Sequence, residues 1–539
     1  MTRRFVDGKS LWNDAFTFML AATCTMLVAS VCQAQQATTD SATDEDKEKV
    51  SRFGEYSGYS DARFDEWVCN SQYIEMRDGV KLAIDVVRPT VDGVPVDEQL
   101  PVVWTHSRYH RGPQALASRF GMQGDINSMV DANPDLQRLV KHGYVVAAVG
   151  VRGSGASYGK YTGLFSPEET RDAFEIIQWL ADQPWCDGNV GMHGASYLGM
   201  TQYMAASQAP PALKAIFPNV AGFDLYDVIY PGGVYREDMI RHWDELTEQL
   251  DNELLAPQVD TDKDGKMLEQ AVAEHEENWE VAVNYRNARF RDSMSDGYSY
   301  HTHNPAPWLE QINEAKVPAY HWCGWDDVFV TDSLIWYANY QGPQKLAIGS
   351  WPHSGTPDPR IMMQRIRLRS AEQHRWFDFW LKGIDNGVMD QPPINISTLD
   401  DPGEAEWNSA GQWPLENTKM LNMRFAAGPS GSIESVNDGT LVLAEYLDKP
   451  QASGESSDQY AIDLETTSGS ASRWDNAVGA GVMNYGDRSD NDKRCLTYTT
   501  EPLPADVNVT GHPVATLYVE STASDGDFYV LLEEVDEGG

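Results

Sequence analysis

An α/β domain on a mainly parallel sheet, followed by a smaller β domain, is the architecture this sequence predicts. Three observations carry the prediction. Between about residues 80 and 380, short apolar runs alternate with helical stretches, as strands covered by helices require. From about 222 to 308 that rhythm gives way to a charged, helix-prone segment that reads as a cap inserted between two sheet strands. Beyond about Pro392, short β-rich runs alternate with Gly, Asp, Ser and Pro turns at the spacing of a β-sandwich.

The elements follow in order. Arg3, Arg4 and Lys9 precede an apolar run from Phe16 to Val31 and the small-x-small pattern Cys32-Gln33-Ala34. This predicts a signal peptide over residues 1–34, and hence a protein exported to the periplasm or secreted. The run is short for a membrane span of roughly 20 residues, so no stable membrane insertion is expected after cleavage. Residues 35–60, rich in Gln, Thr, Ser, Asp, Glu and Lys, read as a disordered lead-in. A first domain is expected over 61–388 and a second over 389–539. The first opens with a hairpin, Tyr73–Met76 and Val80–Val87 about the turn Arg77-Asp78-Gly79. Pro101–Thr105, Tyr144–Val149, Asn189–His193, Ala215–Pro218, Val317–Gly324 and Lys345–Gly349 read as buried strands. Ser166-Pro167-Glu168-Glu169 is a helix start, with Ser as cap and Glu at the third helical position. A helix carrying Trp376, Phe377 and Trp380 closes the first domain. In the second, Asn395–Thr398, Thr440–Leu443, Leu496–Thr499, Val514–Val519 and Phe528–Leu532 are candidate strands.

Composition narrows the function classes. The chain has 539 residues, enough for two or three units, and its 41% hydrophobic content fills sizeable cores. A formal net charge of −40 repels phosphate backbones and anionic membranes, which argues against nucleic acid as a partner. Cys69, Cys186, Cys323 and Cys495 remain after the signal region; none has metal-site spacing, and their pairing is open.

Chemistry concentrates at Gly191-Met192-His193-Gly194-Ala195-Ser196-Tyr197-Leu198-Gly199. A strand running through Gly-x-Ser into a small-residue helix is the setting of a nucleophilic serine on a tight turn, although here the second Gly falls one place later than in Gly-x-Ser-x-Gly. The backbone N–H of Tyr197 would face a developing oxyanion. A serine hydroxyl needs a base, and in this arrangement an acid and then a histidine follow it in chain order, each after a later strand. Asp326-Asp327 and Ser350-Trp351-Pro352-His353-Ser354-Gly355 occupy those places.

Together with Trp185-Cys186-Asp187-Gly188-Asn189-Val190-Gly191-Met192, Gly324-Trp325-Asp326-Asp327-Val328-Phe329 and Ile348–Ser354, these motifs resemble the bacterial cocaine-esterase (CocE/NonD) family of serine hydrolases, relatives of the X-prolyl dipeptidyl aminopeptidases. The resemblance runs from about Asp65 to the C-terminus. It implies an α/β-hydrolase fold, a helical cap and a C-terminal jelly roll. Its Gly-Trp-x-Asp pattern selects Asp327 as the acid and leaves Asp326 an exposed neighbour. It implies a tyrosine hydroxyl as second oxyanion donor, here Tyr109, although Arg108, His110 and Arg111 depart from the residues usual around it. Related α-amino-acid ester hydrolases carry acids where this chain has Phe329 and Val330, which argues against that specificity. The jelly roll of the family usually extends well beyond the equivalent of Gly539, so the chain is expected to be a fragment or its last sheet incomplete.

The expected function is therefore cleavage of an ester or amide through an acyl-enzyme, with catalytic Ser196, His353 and Asp327 and oxyanion donors Tyr109 and Tyr197. The expected substrate is a small-molecule ester or amide or a short peptide, and no cofactor is needed. Release of X-Pro dipeptides is the alternative, and a non-catalytic binding protein on the same scaffold a further one. Asp260, Asp262 and Asp264 match the opening of a calcium loop, but Ala271 stands where a bidentate Glu belongs, so an acidic solvated turn is the favoured reading.

Overall fold

The computed structural model describes residues 48–112, 127–252, 256–354, 356, 358–398, 406–426, 428–444, 457–467, 472–477 and 486–536. The expected signal peptide lies outside them. By its contacts the chain divides into two units, one of residues 1–410 with 473–482, the other of 411–472 with 483–539.

The first unit is built on one large sheet. Its principal strands are β1 (Glu66–Glu75), β2 (Lys81–Val91), β3 (Leu100–Ser107), β4 (Val145–Gly150), β5 (Cys186–Ala195), β6 (Leu213–Asn219), β7 (Ala319–Asp326), β8 (Gln344–Pro352), β9 (Ile394–Ser397) and β10 (Trp407–Ala410), with the short strand Val94–Pro95 paired to β2. They lie side by side in the order β1-β2-β4-β3-β5-β6-β7-β8-β9-β10. From β4 to β9 every neighbouring pair is parallel. β1, β2 and β10 run antiparallel to their neighbours. The inner strands are buried on both faces, which is why they read as unbroken apolar runs. The path crosses over at β3 and β4, then grows outward from β5.

The helices that matter for the site are α1 (Pro134–Lys141), α2 (Pro167–Ala181), α3 (Tyr197–Ser207), α4 (Glu237–Asn252), α5 (Lys266–Glu274), α6 (Val330–Asn339), α7 (Pro359–Lys382) and α8 (Arg473–Ala477). Two hydrophobic clusters cover the sheet, one including Trp104, Met192 and Ile216, the other Trp322, Trp351 and Trp376. The segment between β6 and β7 is chiefly helical, with α4 and α5 and short helices at Leu225–Ile229 and Val281–Asn287.

Four expectations need correction. Residues 50–57 form a hairpin rather than a disordered lead-in. Tyr56 is buried and its hydroxyl donates to Asp378 at 2.8 Å, while Gly54 N donates to Glu372 Oε1 at 2.9 Å. Aromatic anchors thus outweigh a polar composition there. Ile394–Ser397 does not open the second domain; it adds to β8, with Leu346 opposite Ile394. Asp326 is half-buried at the end of β7 instead of exposed. Finally, Val514–Val519 and Phe528–Leu532 run without ladder partners among the described residues, and Tyr518 is 98% exposed. A strand needs a neighbour to satisfy its N–H and C=O groups, and alternating apolar residues alone do not supply one. The ladders described in the second unit join Met423–Ala426, Gly439–Leu443 and Tyr498–Thr499.

Candidate active site

Ser196 stands where β5 meets α3, in the backbone conformation φ 60°, ψ −122°. A non-glycine residue there is strained, and such strain is characteristic of a nucleophile lifted off the end of a strand. Two glycines permit it. A Cβ on Gly194 would lie 2.5 Å from Leu198 Cβ, and one on Gly199 would lie 2.8 Å from Asn219 O and 2.9 Å from Ala221 Cβ. The late position of the second glycine thus has a cause: residue 199 is where α3 passes the backbone leaving β6. Ser196 N donates to Asn219 O at 2.9 Å, fixing the turn to the next strand. The serine side chain caps no N–H of the helix, which leaves Oγ available. Tyr197 begins the helix, where an N–H has no acceptor within the helix.

β7 and β8 supply the other two groups. His353 Nδ1 lies 2.8 Å from Asp327 Oδ2, with side-chain exposures of 7% and 0%. The second oxygen, Asp327 Oδ1, accepts from Phe329 N at 2.7 Å, and the Phe329 ring meets His353 edge-on at 5.5 Å. This pairing engages Nδ1 and leaves Nε2 as the imidazole nitrogen turned away from Asp327. Among the described residues no hydrogen bond joins Nε2 to Ser196 Oγ; such bonds are often long until substrate binds.

The histidine loop is clamped from two sides. Arg365 of α7, buried and without a carboxylate ion-pair partner among the described residues, donates to the carbonyls of Pro352, His353 and Ser354 at 3.1–3.2 Å. Burial pulls its guanidinium down to about 10. Ser354 N donates to Asn476 Oδ1 at 2.9 Å, so α8, more than a hundred residues later in the chain, reaches this loop. Next to Asn476, Trp474 lies under the Arg236 guanidinium, 3.8 Å from ring centroid to cation. Burial raises Asp326, and the charge of Arg473 opposes that rise.

Tyr109 follows β3. Its ring stands 6.5 Å from that of Tyr197, and its hydroxyl accepts from Trp243 Nε1 of α4 at 3.0 Å. With the indole occupying the oxygen, the phenolic hydrogen is free to donate elsewhere. Burial raises the phenol, against the Trp243 hydrogen bond. The three departures beside Tyr109 each have a partner. Arg108 grips Asp251 through both terminal nitrogens at 2.5 and 2.6 Å, Arg111 pairs with Asp85, and His110 Nε2 meets Leu250 O at 3.2 Å. The two arginines of this loop are thus matched by acids on α4 and β2.

Other sequence candidates disperse. Asp262 is buried and accepts from Met267 N and Leu268 N at the start of α5, Asp260 accepts from Ser71 N, and Asp264 is exposed beside Lys266. Among the described residues no group of three or more His, Cys, Asp or Glu is placed to hold a metal ion. The four described cysteines are unpaired. Sequence reasoning missed Trp243, Arg365 and Asn476; none sits in a motif, and only the apolar spacing of α4 hinted at the first.

The strand order, a strained serine after β5, an acid after β7 and a histidine after β8 constitute an α/β-hydrolase. Residues 78–355 match the X-Pro dipeptidyl-peptidase (S15) family, and residues 386–539 match the X-Pro dipeptidyl-peptidase C-terminal non-catalytic domain. A protein of Mycobacterium bovis named for serine esterase activity is 30% identical over 515 residues, 87% of this chain and 78% of that one. The cocaine esterase of a Rhodococcus species is 29% identical over 500 residues, 87% of this chain and 80% of that one. A solved CocE/NonD family hydrolase of Staphylococcus aureus shares the fold with a TM-score of 0.51 at 23% identity, over 75% of this chain and 66% of that one. The chain belongs to the X-Pro dipeptidyl-peptidase (S15) family of serine hydrolases.

Proposed function

We propose that the protein cleaves small esters or amides through an acyl-enzyme on Ser196. The observation that carries this reading is the His353–Asp327 pair, held at 2.8 Å on the loops after β8 and β7 while Ser196 occupies the strained turn after β5. In this reading Ser196 Oγ attacks the carbonyl and His353 Nε2 takes its proton. Asp327 keeps the proton of the neutral imidazole on Nδ1 and stabilises the imidazolium. Tyr197 N–H and the Tyr109 hydroxyl donate to the oxyanion, and His353 then returns the proton to the leaving group. Water repeats the sequence to release the acid.

Intact-mass analysis after fluorophosphonate treatment tests the roles. One adduct at Ser196, lost in His353→Ala, is expected; a folded wild-type protein that takes no adduct would sink the reading. Both relatives named above bear esterase names, so turnover of a simple aryl ester is expected to exceed that of Ala-Pro-anilide. The reverse order would favour release of X-Pro dipeptides. The basic, apolar and small-residue succession over residues 1–34 supports export to the periplasm or beyond. The match of residues 386–539 to a non-catalytic domain supports a jelly roll there.

A further inference from the structure

Glu169 is the third residue of α2, and Ser166 Oγ caps its N–H at 3.1 Å. In a reciprocal capping box its carboxyl group would turn back to the cap residue. It turns inward instead. Tyr197, the residue after the nucleophile, donates its hydroxyl to Glu169 Oε2 at 2.8 Å. Glu169 is 2% exposed, and its other oxygen has no hydrogen-bond partner among the described residues. The Tyr197 ring stacks on Trp243 at 6.2 Å and meets Tyr109 at 6.5 Å, and Trp243 holds the Tyr109 hydroxyl. One buried carboxyl group therefore stands at the root of the side chains that frame both oxyanion donors.

We propose that Glu169 is a positioning residue for the oxyanion site: its carboxyl group fixes the Tyr197 phenol and, through that ring, the Tyr197 N–H, Trp243 and the Tyr109 hydroxyl. The inference rests on the acyl-enzyme reading above.

The charges around Glu169 are committed elsewhere. From the loop after β3, Arg108 is bound to Asp251 of α4; from the loop after β4, Arg152 is bound to Asp172 and Asp78. Asp172, one turn along α2, adds a like charge, and Tyr161 and Tyr197 face the carboxyl group as phenols. Burial pushes Glu169 up to about 8, the Tyr197 hydrogen bond opposing it. Burial also drives the Tyr161 and Tyr197 phenols well upward, so neither ionises in the same range. Well below about pH 8 the carboxyl group is neutral. As it ionises, a carboxylate with no cation bound to it forms beside the donors and repels the oxyanion they should stabilise.

The test uses the full chain and p-nitrophenyl acetate, with wild type, Glu169→Ala and Glu169→Gln, circular dichroism confirming the fold. Glu169→Ala is expected to lower kcat roughly ten- to hundredfold with KM changed far less. Glu169→Gln keeps an acceptor for the phenol and is expected to recover most of that loss. Wild-type kcat/KM should fall above about pH 8, and that fall should vanish in Glu169→Gln. A folded Glu169→Ala protein with wild-type kcat, or a Glu169→Gln protein with the wild-type alkaline fall, overturns the inference. Should Glu169→Ala fail to fold, the alkaline profile of Glu169→Gln decides alone. A wild-type protein that neither turns over the ester nor takes a fluorophosphonate would instead overturn the reading beneath it.

Discussion

Asp251→Ala removes one half of a buried ion pair that ties α4 to the loop carrying Tyr109. The side chains of Arg108 and Asp251 are 2% and 5% exposed, so solvent screens the pair little. Stranding a buried guanidinium by deleting its partner costs about 3–5 kcal/mol. Asn278 Nδ2, which donates to Asp251 Oδ2 at 3.0 Å, loses an acceptor as well. With unfolding entropy near ~2.1 cal/mol/K per residue, a loss of about 4 kcal/mol over roughly 360 residues lowers the thermal midpoint by about 5 °C. Calorimetry with urea titration measures it. The double change Arg108→Met with Asp251→Leu supplies the contrast, because apolar residues of similar size often replace a buried pair at no net loss. Stability should then return while ester turnover stays depressed, since the loop carrying Tyr109 has lost its ion-pair tether to α4. A single mutant less than about 1 kcal/mol weaker than wild type, or a double mutant as unstable as the single, would refute the reasoning.

Further expectations concern the turn, the loop and the buried acid. Ser196→Ala should abolish turnover and leave the midpoint unchanged, whereas Ser196→Gly should raise stability by about 1 kcal/mol by releasing the strained backbone; equal midpoints for the two would argue against strain. Gly199→Ala puts a methyl group 2.8 Å from Asn219 O, so a loss of about 1–3 kcal/mol and of most activity is expected from denaturation and ester assays. Asn476→Ala leaves Ser354 N without its acceptor; kcat should fall more than KM rises, and a wild-type kcat would show that the clamp is idle. Because folding raises the Glu169 pKa, the folded state binds more protons than the unfolded one between the ordinary carboxylate range and about pH 8. Wild-type stability should therefore decline with pH across that window relative to Glu169→Gln, and parallel stability curves would count against the shift.

Much of this architecture is legible in the sequence. Parallel strands covered on both faces must be apolar throughout, so Pro101–Thr105 and Lys345–Gly349 declare themselves as β3 and β8. The turn at Ser196 is local in sequence, and the order of serine, acid and histidine follows from the strands that carry them. What escaped was non-local. Arg108 is a departure whose partner, Asp251, lies 143 residues away in the chain. Ile394–Ser397 gives no local sign of which sheet it joins. Tyr56 lies in a polar stretch and reveals its role only against Asp378. Glu169 was visible as a helix signal, and its second contact was not, because nothing near position 169 announces Tyr197.

The hydrogen bond from Ser354 to Asn476 also sets a schedule. A chain is made from its N-terminus at about 5–20 residues per second, and domains commonly fold as they emerge. The serine, the acid and the histidine are all synthesised before residue 354, yet the loop bearing the histidine gains its last tether only when residue 476 arrives. In the proposed reading, a chain not yet extended to residue 476 holds Ser196, Asp327 and His353 while the loop after His353 still lacks that fastening.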